Sequence, residues 1–69
     1  MKIVYSEHAQ RRMRQRSITE LEVEHILQSH WLLRKLGDER KEVVGRINNR
    51  TIRIIFVETE NYIKIVTLM

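Results

Sequence analysis

The chain reads as a single α+β domain: an N-terminal strand, two helices, then a three- or four-stranded antiparallel sheet, two layers in all. Three observations predict this. Ser6 to Arg16 has helical spacing behind a good cap. Thr19-Glu20-Leu21-Glu22 is a capping box. From Glu42 onward, β-branched runs are separated by Asn48-Asn49 and Glu60-Asn61, residues that favour tight turns. The 69 residues allow one domain, near the lower limit for an independent core.

Lys2-Ile3-Val4-Tyr5 is short and β-branched, an opening strand. Ser6 then caps a first helix. On a wheel of about 100° per residue, Ala9 and Met13 form its apolar stripe. Arg12 and Arg16 border that stripe and His8 sits one turn before Arg12, so the three form a row at helix-neighbour spacing. Gln10 and Arg14 point to water. The second helix is expected from Glu20 to about His30. Glu22 reaches back to the Thr19 backbone, Ile18 and Val23 staple the cap, and Val23, Ile26 and Leu27 form the inner face.

Trp31 to Leu36 reads either as the last turn of that helix or as a strand. The hairpin-like Gly37-Asp38-Glu39 favours the strand. Glu42 to Ile47 is a strand ended by Asn48-Asn49. Thr51 to Glu58 is apolar on both faces and belongs near the sheet centre. After Glu60-Asn61, Tyr62 to Leu68 closes the chain as another strand. Two helices on one face of such a sheet leave the other face as a natural binding surface.

The net charge is +4 and the pI about 10.0. Residues 1–16 sum to +4, from Lys2, Arg11, Arg12, Arg14 and Arg16 against Glu7; residues 17–30 sum to −3, and residues 31–69 to +3. Guanidinium forks pair bidentately with phosphate, so nucleic acid is the expected partner, with an acidic protein as the other polyanion. There are no cysteines, which excludes disulfides and thiolate metal sites. No apolar run reaches the roughly 18 residues of a membrane span and no signal-peptide core is present, so a cytoplasmic protein without a membrane partner is expected, as monomer or homodimer. His8, His25 and His30 lack metal-ligand spacing, and no Gly-rich phosphate loop occurs; no metal or other cofactor is expected. Glu20, Glu22 and Glu24 are explained by capping and the helix dipole.

The remaining chemistry is metal-free RNA cleavage. A base frees a ribose 2′-OH to attack the adjacent phosphate, and cations stabilise the phosphoryl oxygens. Histidine serves as acid or base near neutrality and arginine stabilises the charge. His8, Arg12 and Arg16 supply both types, Arg11, Arg53 and Lys64 could add phosphate contacts, and Thr67 could hydrogen-bond a phosphate. The same residues also read more simply: a solvated basic helix, two strand cations facing water, and a β-branched strand filler. His30 reads as a satisfied boundary histidine, and Trp31 and Tyr62 as core edges or base-stacking surfaces.

The pattern Ser6-x-His8-Ala9-x-x-Arg12-Met13-x-x-Arg16-x-Ile18-Thr19-x-x-Glu22 resembles the opening signature of a family of small bacterial domains of unknown function grouped with RelE/ParE-like and BrnT-like toxins of toxin–antitoxin systems. Gly45-Arg46-Ile47, Ile52-Arg53-Ile54-Ile55-Phe56 and Ile63-Lys64-Ile65-Val66-Thr67 resemble its later strands. The resemblance implies a RelE-like fold, an antitoxin partner and an endoribonuclease whose site maps to His8, Arg12, Arg16 and Thr67. The chain departs from many RelE-type ribonucleases in ending at Met69 without their C-terminal arginine, tyrosine or histidine, which argues against ribosome-dependent cleavage. A non-catalytic nucleic-acid-binding or protein-interaction module is the alternative.

Overall fold

A computed structural model describes residues 2–69. The elements are β1 (Lys2–Tyr5), α1 (Glu7–Arg16), α2 (Glu20–Gln28), β2 (Leu32–Lys35), β3 (Arg40–Ile47), β4 (Arg50–Glu58) and β5 (Tyr62–Leu68). The α+β class and the element order agree with the sequence reading, and Trp31 to Leu36 resolves as a strand.

The sheet corrects the expectation of three or four antiparallel strands. It has five strands in the order β1-β5-β4-β3-β2. It is mixed, because β1 lies parallel to β5, Lys2 opposite Tyr62 and Tyr5 opposite Ile65. The physical reason is the free edge of β5. Alternation along β1 says which residues face the core, but not which strand it joins or in which direction. β4 takes the central position expected of it, although one of its faces carries the exposed Thr51 and Arg53.

Each helix end has an identifiable cause. The Ser6 side chain accepts from the Ala9 N–H at 3.0 Å. Ser17 closes α1 in the left-handed region, φ 55°, and Arg50 Nη1 donates to the Arg16 carbonyl at 2.6 Å, a cation on the negative end of the helix dipole. In the Thr19 box, Glu22 Oε1 accepts from the Thr19 N–H at 2.8 Å. α2 stops at Gln28 rather than His30. The His30 ring nitrogen meets the Leu27 carbonyl at 3.1 Å, and the Trp31 N–H donates to the Val44 carbonyl, drawing the chain into the sheet.

Two hairpins turn on paired positive-φ residues. Asn48 and Asn49 have φ 49° and 67°, and Asp38 and Glu39 have φ 60° and 63°, the requirement of a two-residue primed turn. In the second of these the neighbouring glycine, Gly37, is not the residue with positive φ.

Both helices pack on one face of the sheet. Val23, Ile26, Val43, Ile54, Ile65 and Leu68 are fully or almost fully buried there, with Ala9 and Met13 from α1. Gly45 is required by the fit: a Cβ on it would stand 2.9 Å from Ile26 Cγ2. The absence of a side chain there lets α2 sit close to β3.

Candidate nucleic-acid interface

The strand alternation that sends Val43, Gly45, Ile52, Ile54 and Phe56 to the helices sends their neighbours to the opposite, open face. Lys2 and Val4 lie there from β1, Leu32 and Arg34 from β2, and Arg40, Glu42, Val44 and Arg46 from β3. β4 adds Thr51, Arg53, Ile55 and Val57. Basic side chains therefore come from every strand, Lys64 of β5 included, and the one strand carboxylate among them is Glu42.

Glu42 is the only charged residue buried among those described, 4% exposed. It stands directly opposite Arg34 on β2. Arg34 Nε donates to Glu42 Oε1 at 2.8 Å, and Arg34 Nη2 is 2.7 Å from the same oxygen. Arg53 Nε approaches Glu42 Oε2 at 3.3 Å. The two arginines cover the carboxylate while about half of each side chain stays exposed, 57% and 51%. A shared acceptor thus fixes two guanidiniums that still present free N–H groups to solvent, an arrangement suited to phosphate. Arg53 also faces Val44, and Leu32 faces it from the other side; these neighbours bury the valine on a face no helix covers.

Thr67 reaches this face through a β-bulge. Ile55 pairs with Thr67 but Phe56 pairs with Ile65, so Val66 is the extra residue. Without the shift, Thr67 would follow Ile65 into the core and Leu68 would face out. With it, Leu68 is fully buried, and Thr67, half-buried, shares a cross-strand row with Ile55, Glu42 and Arg34.

The α1 row sits differently. Ala9 and Met13 hold α1 to the covered face. His8, Arg11 and Arg16 are exposed and Arg12 is half-buried. Where β1 ends, the Ser6 N–H donates to the Ile65 carbonyl at 3.0 Å and Ser6 Oγ donates to the Val66 carbonyl at 2.8 Å. The first turn of α1, which carries His8, is thereby tied to the outer edge of β5 one residue before Thr67. Among the described residues, no hydrogen bond or ion pair joins His8, Arg12, Arg16 and Thr67 to one another.

The chain belongs to the DUF4258 family. The family model, a domain of unknown function, matches residues 5–69. Neither a curated protein nor a solved structure matches the chain.

The DUF4258 domain has further polar features. Gln10 and Arg14, on the side of α1 away from the histidine row, line a hollow of about 580 Å³ with Tyr5, Ile18 and Glu20. The Tyr5 hydroxyl is buried without a hydrogen-bond partner. Burial, then the charges of Glu20 and Glu24, push its pKa up to about 12. Among the described residues, no three His, Cys, Asp or Glu side chains converge as metal ligands, and no helix is long and apolar enough to cross a membrane.

Sequence reading picked out Arg53, Lys64 and Thr67 of the open face, but not Arg34, Glu42, Arg40 or Arg46. Their signal was available. Arg40-x-Glu42-x-Val44-x-Arg46 alternates charge on one side of a strand whose other side is Val43 and Gly45.

Proposed function

We propose that this domain binds RNA on the open sheet face and cleaves it without a metal ion at the edge of β5. The observation that supports binding most directly is the charge of that face: cations from all five strands, and one carboxylate that is itself buried under two arginines. In the cleavage step His8 takes the proton of a ribose 2′-OH and the 2′ oxygen attacks the adjacent phosphorus. Arg12 and Arg16 balance the charge on the phosphoryl oxygens, and water protonates the departing 5′ oxygen. Thr67 offers its hydroxyl to the same phosphate. The tether of Ser6 to β5 supports this assignment, since it brings the first turn of α1 beside the strand end that carries Thr67. The likeness of the opening signature to RelE/ParE-like and BrnT-like toxins extends the reading to a RelE-like fold and to the toxin half of a toxin–antitoxin pair in the cytoplasm.

The test uses a single-stranded RNA of mixed sequence with EDTA present. Wild-type protein is expected to leave 2′,3′-cyclic phosphate ends, and His8→Ala to abolish cleavage while binding persists. Binding should weaken steeply with salt, and Lys64→Ala should lower the log–log salt slope by about 0.7, the share of one phosphate contact on a single strand. Absence of cleavage by the wild type on any RNA, with or without ribosomes, overturns the catalytic part. Salt-independent binding, or none, overturns the whole.

A second reading has its own observation: His8 is exposed and no hydrogen bond among the described residues orients its ring. A domain that only binds nucleic acid or an acidic protein needs nothing from that imidazole. In that case His8→Ala changes nothing, and Arg34→Ala or Arg53→Ala weakens binding.

A further inference from the structure

β2 forms one outer edge of the sheet, and all four of its residues are exposed. With the residue before it, this edge presents three consecutive large apolar side chains. Trp31 is 68% exposed, Leu32 45% and Leu33 52%. Free sheet edges pair readily with other strands, so proteins blunt them with charges, prolines or a covering element. A run of exposed apolar residues does the opposite, and no helix covers this edge.

The backbone is equally ready. The Leu36 N–H donates to the Arg40 carbonyl at 2.8 Å. Antiparallel alternation then turns the peptide groups of Leu32 and Arg34 toward β3 and those of Leu33 and Lys35 outward. We propose that two copies of this chain associate through β2, antiparallel, about a two-fold axis at Leu33.

Like-charge repulsion limits how two copies can meet, and so selects the register. A strand ending in Arg34 and Lys35 repels itself if like residues meet. Two registers match outward peptide groups to outward peptide groups. One sets Leu33 against Lys35 of the second copy, which places the two Arg34 side chains directly opposite, a destabilising pair. The other sets Leu33 against Leu33 at the axis. It sets Arg34 of each copy beside Leu32 of the other and Lys35 opposite position 31, where the Trp31 N–H is already given to the Val44 carbonyl. No like charges stand opposite in this second register, and Leu32 and Leu33 both gain a neighbour. The result is one ten-stranded sheet with both helix pairs on one side and both open faces on the other, made by a chain near the size at which a single core becomes marginal. An interface of five residues per copy is small, so the association is concentration-dependent.

The test is sedimentation equilibrium over a wide concentration range, with the cross-link that the register predicts. The mass should rise from 8.4 kDa toward twice that value. It should do so at lower protein concentration as salt screens the net positive charge. Leu33→Lys sets two cations at the axis and should leave a monomer at every concentration, with an unchanged circular dichroism spectrum because the replaced side chain is half exposed. The chain has no cysteine, so a single one reports cleanly. Residues facing each other in a hydrogen-bonded pair are about 5.5 Å apart at Cα, within disulfide reach. Leu33→Cys should therefore cross-link on oxidation and Arg34→Cys should not. A constant 8.4 kDa mass overturns the proposal and hands the edge to a strand of another protein. Cross-linking through Arg34→Cys but not Leu33→Cys overturns it through the register.

Discussion

The two faces of the sheet solve opposite problems with the same strands. On the covered face, Val43, Ile54, Ile65 and Leu68 meet Val23 and Ile26 with almost no exposed area, and the closeness of that contact depends on the missing side chain at Gly45. On the open face, Glu42 is buried because the long side chains of Arg34 and Arg53 reach over it. One face is held by shape, the other by charge and by side chains that also face solvent. Substitutions on the first should therefore register as lost stability, and substitutions on the second as altered binding.

The largest expected effect is on the covered face. Ile26→Ala removes a side chain 1% exposed and leaves a cavity against Gly45 and β3, at a cost of about 2–5 kcal/mol. A domain of this size has little more than the lower end of the usual ~5–15 kcal/mol, so the variant should be largely unfolded at 37 °C by circular dichroism. Gly45→Ala probes the same contact from the other side. Its Cβ would crowd Ile26 and cost about 1–3 kcal/mol through overpacking, read as a lower urea midpoint. A neutral Gly45→Ala would mean that α2 can lift off β3 freely, and the covered face would lose its claim to be the rigid one.

Glu42→Gln tests the open face. Truncating one partner of a fully buried ion pair costs about 3–5 kcal/mol. Here both guanidiniums are half exposed and return to water, so about 1–2 kcal/mol is expected. The same change removes the only strand carboxylate from the face, and RNA affinity at low salt should rise. Lower stability with tighter binding is a signature that no covered-face variant should give. A loss as large as that of Ile26→Ala would make Glu42 part of the core.

Much of this contrast was legible in the sequence, and the missing parts share a cause. Caps, turns and alternation are local, and they carried Ser6, Thr19, Asn48-Asn49 and the central place of β4. The parallel seat of β1 depends on an edge formed some sixty residues later in the chain. The bulge at Val66 falls in Ile65-Val66-Thr67, a uniformly β-branched run with nothing to mark the extra residue. Glu42 looks like any polar strand residue until register brings Arg34 and Arg53 to it from two neighbouring strands. For the candidate site, the spacing of His8, Arg12 and Arg16 was plain on the wheel, while Thr67 rested on its hydroxyl and on family resemblance. The sequence could not show that Thr67 faces the arginines of the open face.

The smallest effect is expected at the margin of the covered face, where Tyr5 puts an unpartnered hydroxyl. A buried donor without an acceptor stabilises nothing, so Tyr5→Phe should leave stability at pH 7 unchanged or raise it by up to about 1 kcal/mol. Its pH dependence is more telling. The folded protein holds this phenol's pKa at about 12, above its usual 10.0, so the unfolded chain ionises first. The wild type should keep its full stability below pH 10 and lose part of it as the pH rises toward 12. Tyr5→Phe should lose less over that interval, which paired urea titrations at pH 7 and pH 11 would show. If the two proteins lose stability equally, the Tyr5 hydroxyl reaches water in solution, and the boundary between the sealed face and the wet one lies inside β1 rather than at its outer edge.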